Sequence, residues 1–377
     1  MLRLVAVAAL ALAFAAPTQA ARPFLLAATD PLLVQNNPAA SQREAARLRN
    51  AGLSGARLMV DWTLGETVPP PLELQRLANA ADAAEANGLT LVLALFPAGS
   101  SQTPLTDSAR GDFAQWAAAI ARGLPSVKNI VVGNQPNLNR FWLPQYGANG
   151  EDVAAPAFVA LLAQTYDALK AVSPAIRVWG GGLARSGSDK PGTARDTHSP
   201  TAFISDMGAA YRASGRTTPI MDGLAYHPYM ESSNIPPSRQ HSDVSTTLTI
   251  ADYPRLVALL GQAFDGTAQR GSTLPILYDE FGVESIPPPD EQQYYTGSEA
   301  ATVHPVDPRT QSAYYASALR LAYCAPNVAG LSIFLFEDEH ALSAWQSGLY
   351  YANAGPKPSL KTVQWASRRL RGRGFDC

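Results

Sequence analysis

The chain has 377 residues, 16% of them charged, and its 29 Lys and Arg against 31 Asp and Glu leave a formal net charge of −2. Charge this balanced and mixed makes no electrostatic case for gripping nucleic acid or an anionic membrane surface. Its five histidines (His198, His227, His241, His304 and His340) are scattered, with no HExxH or CxxC, so neither a metal site nor a cofactor is expected.

The N-terminus reads as a secretory signal peptide over residues 1–20. Arg3 gives a short positive start, Leu4 to Ala16 are apolar, and Pro17-Thr18-Gln19-Ala20 offers small residues for cleavage near Ala20. The apolar run is short for a bilayer span, although an uncleaved anchor is the alternative. A secreted, soluble mature chain over 22–377 is therefore expected, with no later membrane segment.

From there apolar runs alternate with amphipathic stretches. Strands are predicted at 24–29, 56–62, 89–96, 127–134, 176–183, 221–229, 274–280 and 330–336. Helices are predicted between them at 40–51, 72–87, 107–122, 156–172, 201–214, 251–270 and 308–324, and a last one at 359–371. LTLVLALF at 89–96 is nearly continuous in apolar residues, as in strands buried on both faces. Eight βα units predict one single-domain α/β protein, a closed (β/α)8 TIM barrel.

Loop lengths agree. Helix-to-strand connections are short and carry breakers such as Asn87-Gly88 and Ser173-Pro174. Strand-to-helix connections are mostly long, at 97–106, 135–155, 184–200, 230–250, 281–307 and 337–358. In a barrel the long set shares the C-terminal face, where active sites sit. The basic run Arg368 to Arg373 closes the last helix, where cations complement its dipole. Cys324 and Cys377 either pair or stay as two thiols; spacing alone does not decide.

Polar residues cluster where strands finish: Gly133-Asn134-Gln135-Pro136-Asn137 after the fourth, Tyr226-His227-Pro228-Tyr229 after the sixth, and Tyr278-Asp279-Glu280-Phe281-Gly282 after the seventh. Arg57 lies near the start of the second strand and Asp61-Trp62 at its end. In this the chain resembles the clan A glycoside hydrolases, retaining (β/α)8 enzymes that include cellulases, xylanases and β-galactosidases. The resemblance implies that Glu280 is the nucleophile, Asn134 a contact to a sugar hydroxyl, and His227 and Tyr229 the strand-six pair. It further implies that Arg57 is the arginine that holds the nucleophile ionised. Trp345 joins them as a substrate-side aromatic.

Two positions depart from that pattern. Gln135 stands where the acid/base glutamate belongs, and Phe334 or Phe336 replaces the strand-eight tryptophan. Retention needs two carboxyl groups about 5–5.5 Å apart, one attacking the anomeric carbon and one protonating the departing oxygen. An amide hydrogen-bonds that oxygen but has no proton to give, a loss of about 10²–10⁴ in rate. Three ways out are open: a leaving group that departs unprotonated; a second carboxylate from Asp61, Glu231, Glu337, Asp338 or Glu339; or a barrel that binds oligo- or polysaccharide without cleaving it. Trp62, Trp142 and Trp345 fit either sugar stacking or ordinary packing, and Trp179-Gly180-Gly181-Gly182 either a sugar-stacking wall or a tight strand exit.

Overall fold

The computed structural model describes residues 22–377; the signal-peptide reading of residues 1–20 lies outside the described residues. Eight parallel strands, β1 (Leu25–Thr29), β2 (Gly55–Trp62), β3 (Thr90–Pro97), β4 (Asn129–Val132), β5 (Arg177–Ala184), β6 (Gly223–His227), β7 (Ile276–Phe281) and β8 (Val328–Ile333), pair in chain order. The barrel closes through β1 against β8, with Leu25 opposite Gly330 and Ala28 opposite Ile333. Around it stand α1 (Pro38–Asn50), α2 (Pro71–Ala86), α3 (Asp107–Gly123), α4 (Ala154–Val172), α5 (Pro200–Ala213), α6 (Tyr253–Phe264), α7 (Pro308–Cys324) and α8 (Pro358–Arg371). This is the predicted (β/α)8 barrel.

Helix starts follow their capping chemistry. Asn37, Ser199 and Asp307 each accept a backbone N–H of the first turn, and a proline follows each of them. There proline's fixed φ suits the helix and its missing N–H costs nothing. The apolar strands serve two cores. Val92, Ala94, Phe96, Val131, Trp179, Ala225 and Leu277 fill the barrel, while a larger set packs strands against helices.

Three elements differ from expectation for local reasons. β4 ends at Val132, because Gly133 (φ 104°) and Gln135 (φ 48°) leave the extended region. α6 stops at Phe264, and the segment that follows turns at Gly266 (φ 79°). β6 stops at His227, ahead of Pro228, so Tyr229 lies on the loop and not in the strand. Cys324 and Cys377 are bonded, tying the end of α7 to the C-terminal residue.

Candidate active site at the barrel mouth

Glu280, near the end of β7, is 6% exposed, and three side chains hold it. The Arg57 Nη2 lies 3.0 Å from its Oε1, the Tyr229 hydroxyl donates to its Oε2 at 3.0 Å, and His227 Nδ1 lies 3.3 Å from Oε2. Arg57 and His227 are fully buried. Side chains from β2, from β6 and from the loop after β6 therefore converge on one β7 carboxylate, as the sequence pattern predicts for Glu280, Arg57, His227 and Tyr229.

Asp279 completes the arrangement and was not anticipated as part of it. Arg57 Nε donates to its Oδ2 at 3.3 Å, and His227 Nε2 lies 3.2 Å from its Oδ1. Adjacent strand residues ordinarily point to opposite faces. Here the β7–β8 register shifts between Tyr278 and Phe281, a bulge that turns both carboxylates toward the same Arg and His. Burial acts to raise the Asp279 carboxyl, but His227 and Arg57 outweigh it and hold the group below its ordinary value. Burial pulls the Arg57 guanidinium down, and Glu280 with Asp279 more than reverse it. For Tyr229, burial and then the Glu280 charge push the phenol well above its usual range, so it stays a donor.

Gln135 faces this cluster. Its Nε2 lies 3.0 Å from His227 Nδ1, the ring nitrogen that Glu280 also approaches. With the imidazole proton on Nε2 toward Asp279, Nδ1 accepts from the Gln135 amide; with a second proton, Nδ1 donates to Glu280 instead. Gln135 holds a left-handed conformation, φ 48°, which costs a non-glycine residue about 1–3 kcal/mol. Its N–H donates to the Gly182 carbonyl at 2.9 Å and its carbonyl accepts from Leu138 N–H at 2.9 Å. Neighbouring Asn137 anchors the loop by bonding both Ala184 and the His198 carbonyl. Asn134 is buried, and its Oδ1 has no protein partner, leaving an acceptor in the site for a ligand hydroxyl.

The five carboxylates considered as substitutes for the missing acid do not bond to Gln135. Glu337 pairs with Arg47, and Asp338 with Lys357 at 2.6 Å and the Tyr295 hydroxyl at 2.7 Å. Glu231 pairs with Arg239 and with His241 at 2.7 Å. Glu339 accepts the Trp345 N–H at 3.0 Å, and Asp61 is exposed near Glu73. A carboxyl outside that set, Glu284, lines the cavity beside the site; burial, then Glu299, push it up to about 7.

Trp345 is half-buried, its ring 5.4 Å from Tyr229 and 5.1 Å from Phe334. That places Phe334, not Phe336, at the aromatic edge of the site, since Phe336 packs inside against Tyr350 and Arg47. Trp62, Trp142 and Trp179 are packing residues. Trp62 sits against Phe113, Trp142 against Phe158, and Trp179 fills the barrel interior, bonded to Asn129. With Tyr229 and Trp345, Glu284 lines a cavity of 490 Å³. A larger one, 760 Å³, lies outside the barrel between α4 and α5 and shares no residue with the cluster.

No family model matches the chain, and no curated protein does. Solved structures match in number. A GH5_18 protein of Streptomyces cattleya in complex with Manβ1-4GlcNAc aligns over 93% of this chain and 81% of its own, at 16% identity and TM-score 0.61. The likeness is to the barrel fold. A GH39 β-xylosidase of Caulobacter crescentus aligns over 92% and 73%, at 18% identity and TM-score 0.55. The β-glycosidase BGL167 aligns over 94% and 97%, at 15% identity and TM-score 0.59. At such identities the likeness is one of fold, and the chemistry of this barrel rests on its own side chains.

Proposed function

We propose that this barrel is an exported glycosidase acting on an O-glycosidic saccharide with retention, using Glu280 as nucleophile and Gln135 at the acid/base position. The observation that carries the reading is the meeting of Glu280 and Gln135 at one nitrogen of His227, with Tyr229 bonding the carboxylate oxygen that faces His227 and Arg57 beside the other.

In this mechanism Glu280 attacks the anomeric carbon, and the bond to the departing oxygen breaks as the glycosyl–enzyme ester forms. Arg57 and Tyr229 orient the attacking carboxylate. Asn134 Oδ1 and Trp345 position the sugar, one by a hydroxyl contact and the other by its ring face. Gln135 donates an amide hydrogen bond to the leaving oxygen and transfers no proton, so the rate depends on how readily that group leaves as an anion. Water then attacks the anomeric carbon, the ester bond to Glu280 breaks to return the carboxylate, and the water's proton passes to solvent. The bonded Cys324–Cys377 pair supports export, since such bonds persist in oxidising compartments.

A second reading, a glycan-binding barrel without turnover, draws on the same amide: Gln135 is held by His227 and no carboxylate bonds to it. Aryl glycosides with very good leaving groups separate the two. Burst release of the phenol, abolished in Glu280→Gln, is expected of the enzyme. Gln135→Glu is expected to raise kcat/KM on unactivated substrates by about 10²-fold or more. Silence across a sugar panel, with ligands still retained on an affinity gel, selects the binder and overturns the hydrolytic reading.

A further inference from the structure

The 490 Å³ cavity lined by Tyr229 and Trp345 does not take in Glu280, and its wall carries Arg185 and Arg140 beside Glu231 and Glu284. Arg185 follows directly on β5. Its Nη2 donates to the Glu231 carbonyl at 3.3 Å, and its Nε is buried with no partner. Among the described residues it forms no ion pair. A guanidinium keeps its charge, so one lining a cavity with a buried donor left over and no carboxylate in ion-pair contact is an incomplete interaction. Burial pulls it down and the nearby Glu231 charge acts against that.

Neither carboxyl group on the wall forms an ion pair with Arg185 among the described residues. The Glu231 Oε1 is taken up by Arg239 and His241, and His241 in turn bonds Asp252 at 2.8 Å, while the Glu231 Oε2 is buried without a partner and forms no ion pair with Arg185. Glu284, pushed up to about 7, is part protonated at neutral pH and then a donor in its own right. Exposed Arg140 adds a second cation to the wall.

Resting on the glycosidase reading of Glu280, we propose that this cavity is a subsite for an acidic sugar, whose carboxylate or sulfate is held by Arg185. The planar guanidinium presents parallel donors that match either anion. Glu284 and the Glu231 backbone bound the space, while Tyr229 and Trp345 separate it from the bond to be cleaved.

The test uses paired oligosaccharides on the whole protein, each uronate-bearing member beside its carboxyl-reduced twin and each sulfated member beside its desulfated twin. The wild-type protein is expected to bind or cleave at least one acidic member about tenfold better than its twin, a preference that weakens as salt rises. Which kind of pair shows it identifies the anion. Arg185→Met is expected to erase the preference and leave the neutral twins unchanged, and Arg185→Lys to restore part of it. Equal handling of every pair by the wild-type protein, or a preference that survives Arg185→Met, overturns the subsite and leaves the glycosidase reading standing. Failure to bind or cleave any member of either kind overturns both.

Discussion

Glu284 shows how a single side chain in the cavity wall sets a pH response. Its ordinary value of 4.5 is raised to about 7 by burial first, with Glu299 adding to it. The folded state therefore holds a proton that the unfolded chain releases. Glu284's contribution to stability is complete below pH 4.5 and is lost as pH rises through about 7. Glu284→Gln cannot ionise and still offers an oxygen to the Gln346 N–H that Glu284 now accepts at 3.4 Å. Urea unfolding of the variant is expected to match wild type at pH 4.5 and to exceed it by roughly 1–3 kcal/mol at pH 8. A variant less stable than wild type at pH 8 would mean that the carboxylate, drawn by nearby Lys357, is the favoured form in the fold.

At the scale of elements, β5 shapes the site through its backbone. Gly182 has φ +58°, and a Cβ there would lie 3.2 Å from both the Gly133 carbonyl and His227 Nε2. The Trp179-Gly180-Gly181-Gly182 segment is thus no sugar-stacking wall. Its tryptophan lies within the barrel, and its glycines let β5 run close beside β4 and β6. Gly182→Ala is expected to cost about 1–3 kcal/mol and to displace the imidazole that Gln135 and Glu280 share. Denaturant midpoints and kcat/KM on an activated glycoside should fall together, and a variant that loses stability alone would separate the glycine from the site.

The strands were legible because burial on both faces demands unbroken apolar runs, as in LTLVLALF, and the polar clusters stood out where those runs end. Other features were not legible, because they depend on pairing across the barrel. The β7–β8 bulge turns Asp279 inward against the two-residue alternation, and nothing in YDEFG marks it. Glu284 and Arg185 become cavity residues only when the loops after β5, β6, β7 and β8 meet. Trp62 and Trp142 carried the same composition signal as Trp345, and only packing told them apart.

On the scale of the whole molecule, stability and chemistry sit at opposite ends of the barrel. The Cys324–Cys377 bond closes a loop with a sequence separation of 53 where α7 leads into β8, at the end where strands begin. Glu280, Gln135, His227 and Trp345 lie at the end where strands finish. A cross-link over a loop of that length limits the unfolded chain, an effect of roughly 2–4 kcal/mol. Replacing both cysteines by serine is accordingly expected to lower the melting temperature by several degrees and leave glycan binding or turnover at 25 °C unchanged. Calorimetry paired with the aryl glycoside assay reads both quantities on one sample. Loss of activity in a variant that is still folded at 25 °C would show that the two ends are coupled through the barrel, with β8 the natural carrier. That strand begins a few residues beyond Cys324 and leads into Phe334, whose ring packs against Trp345.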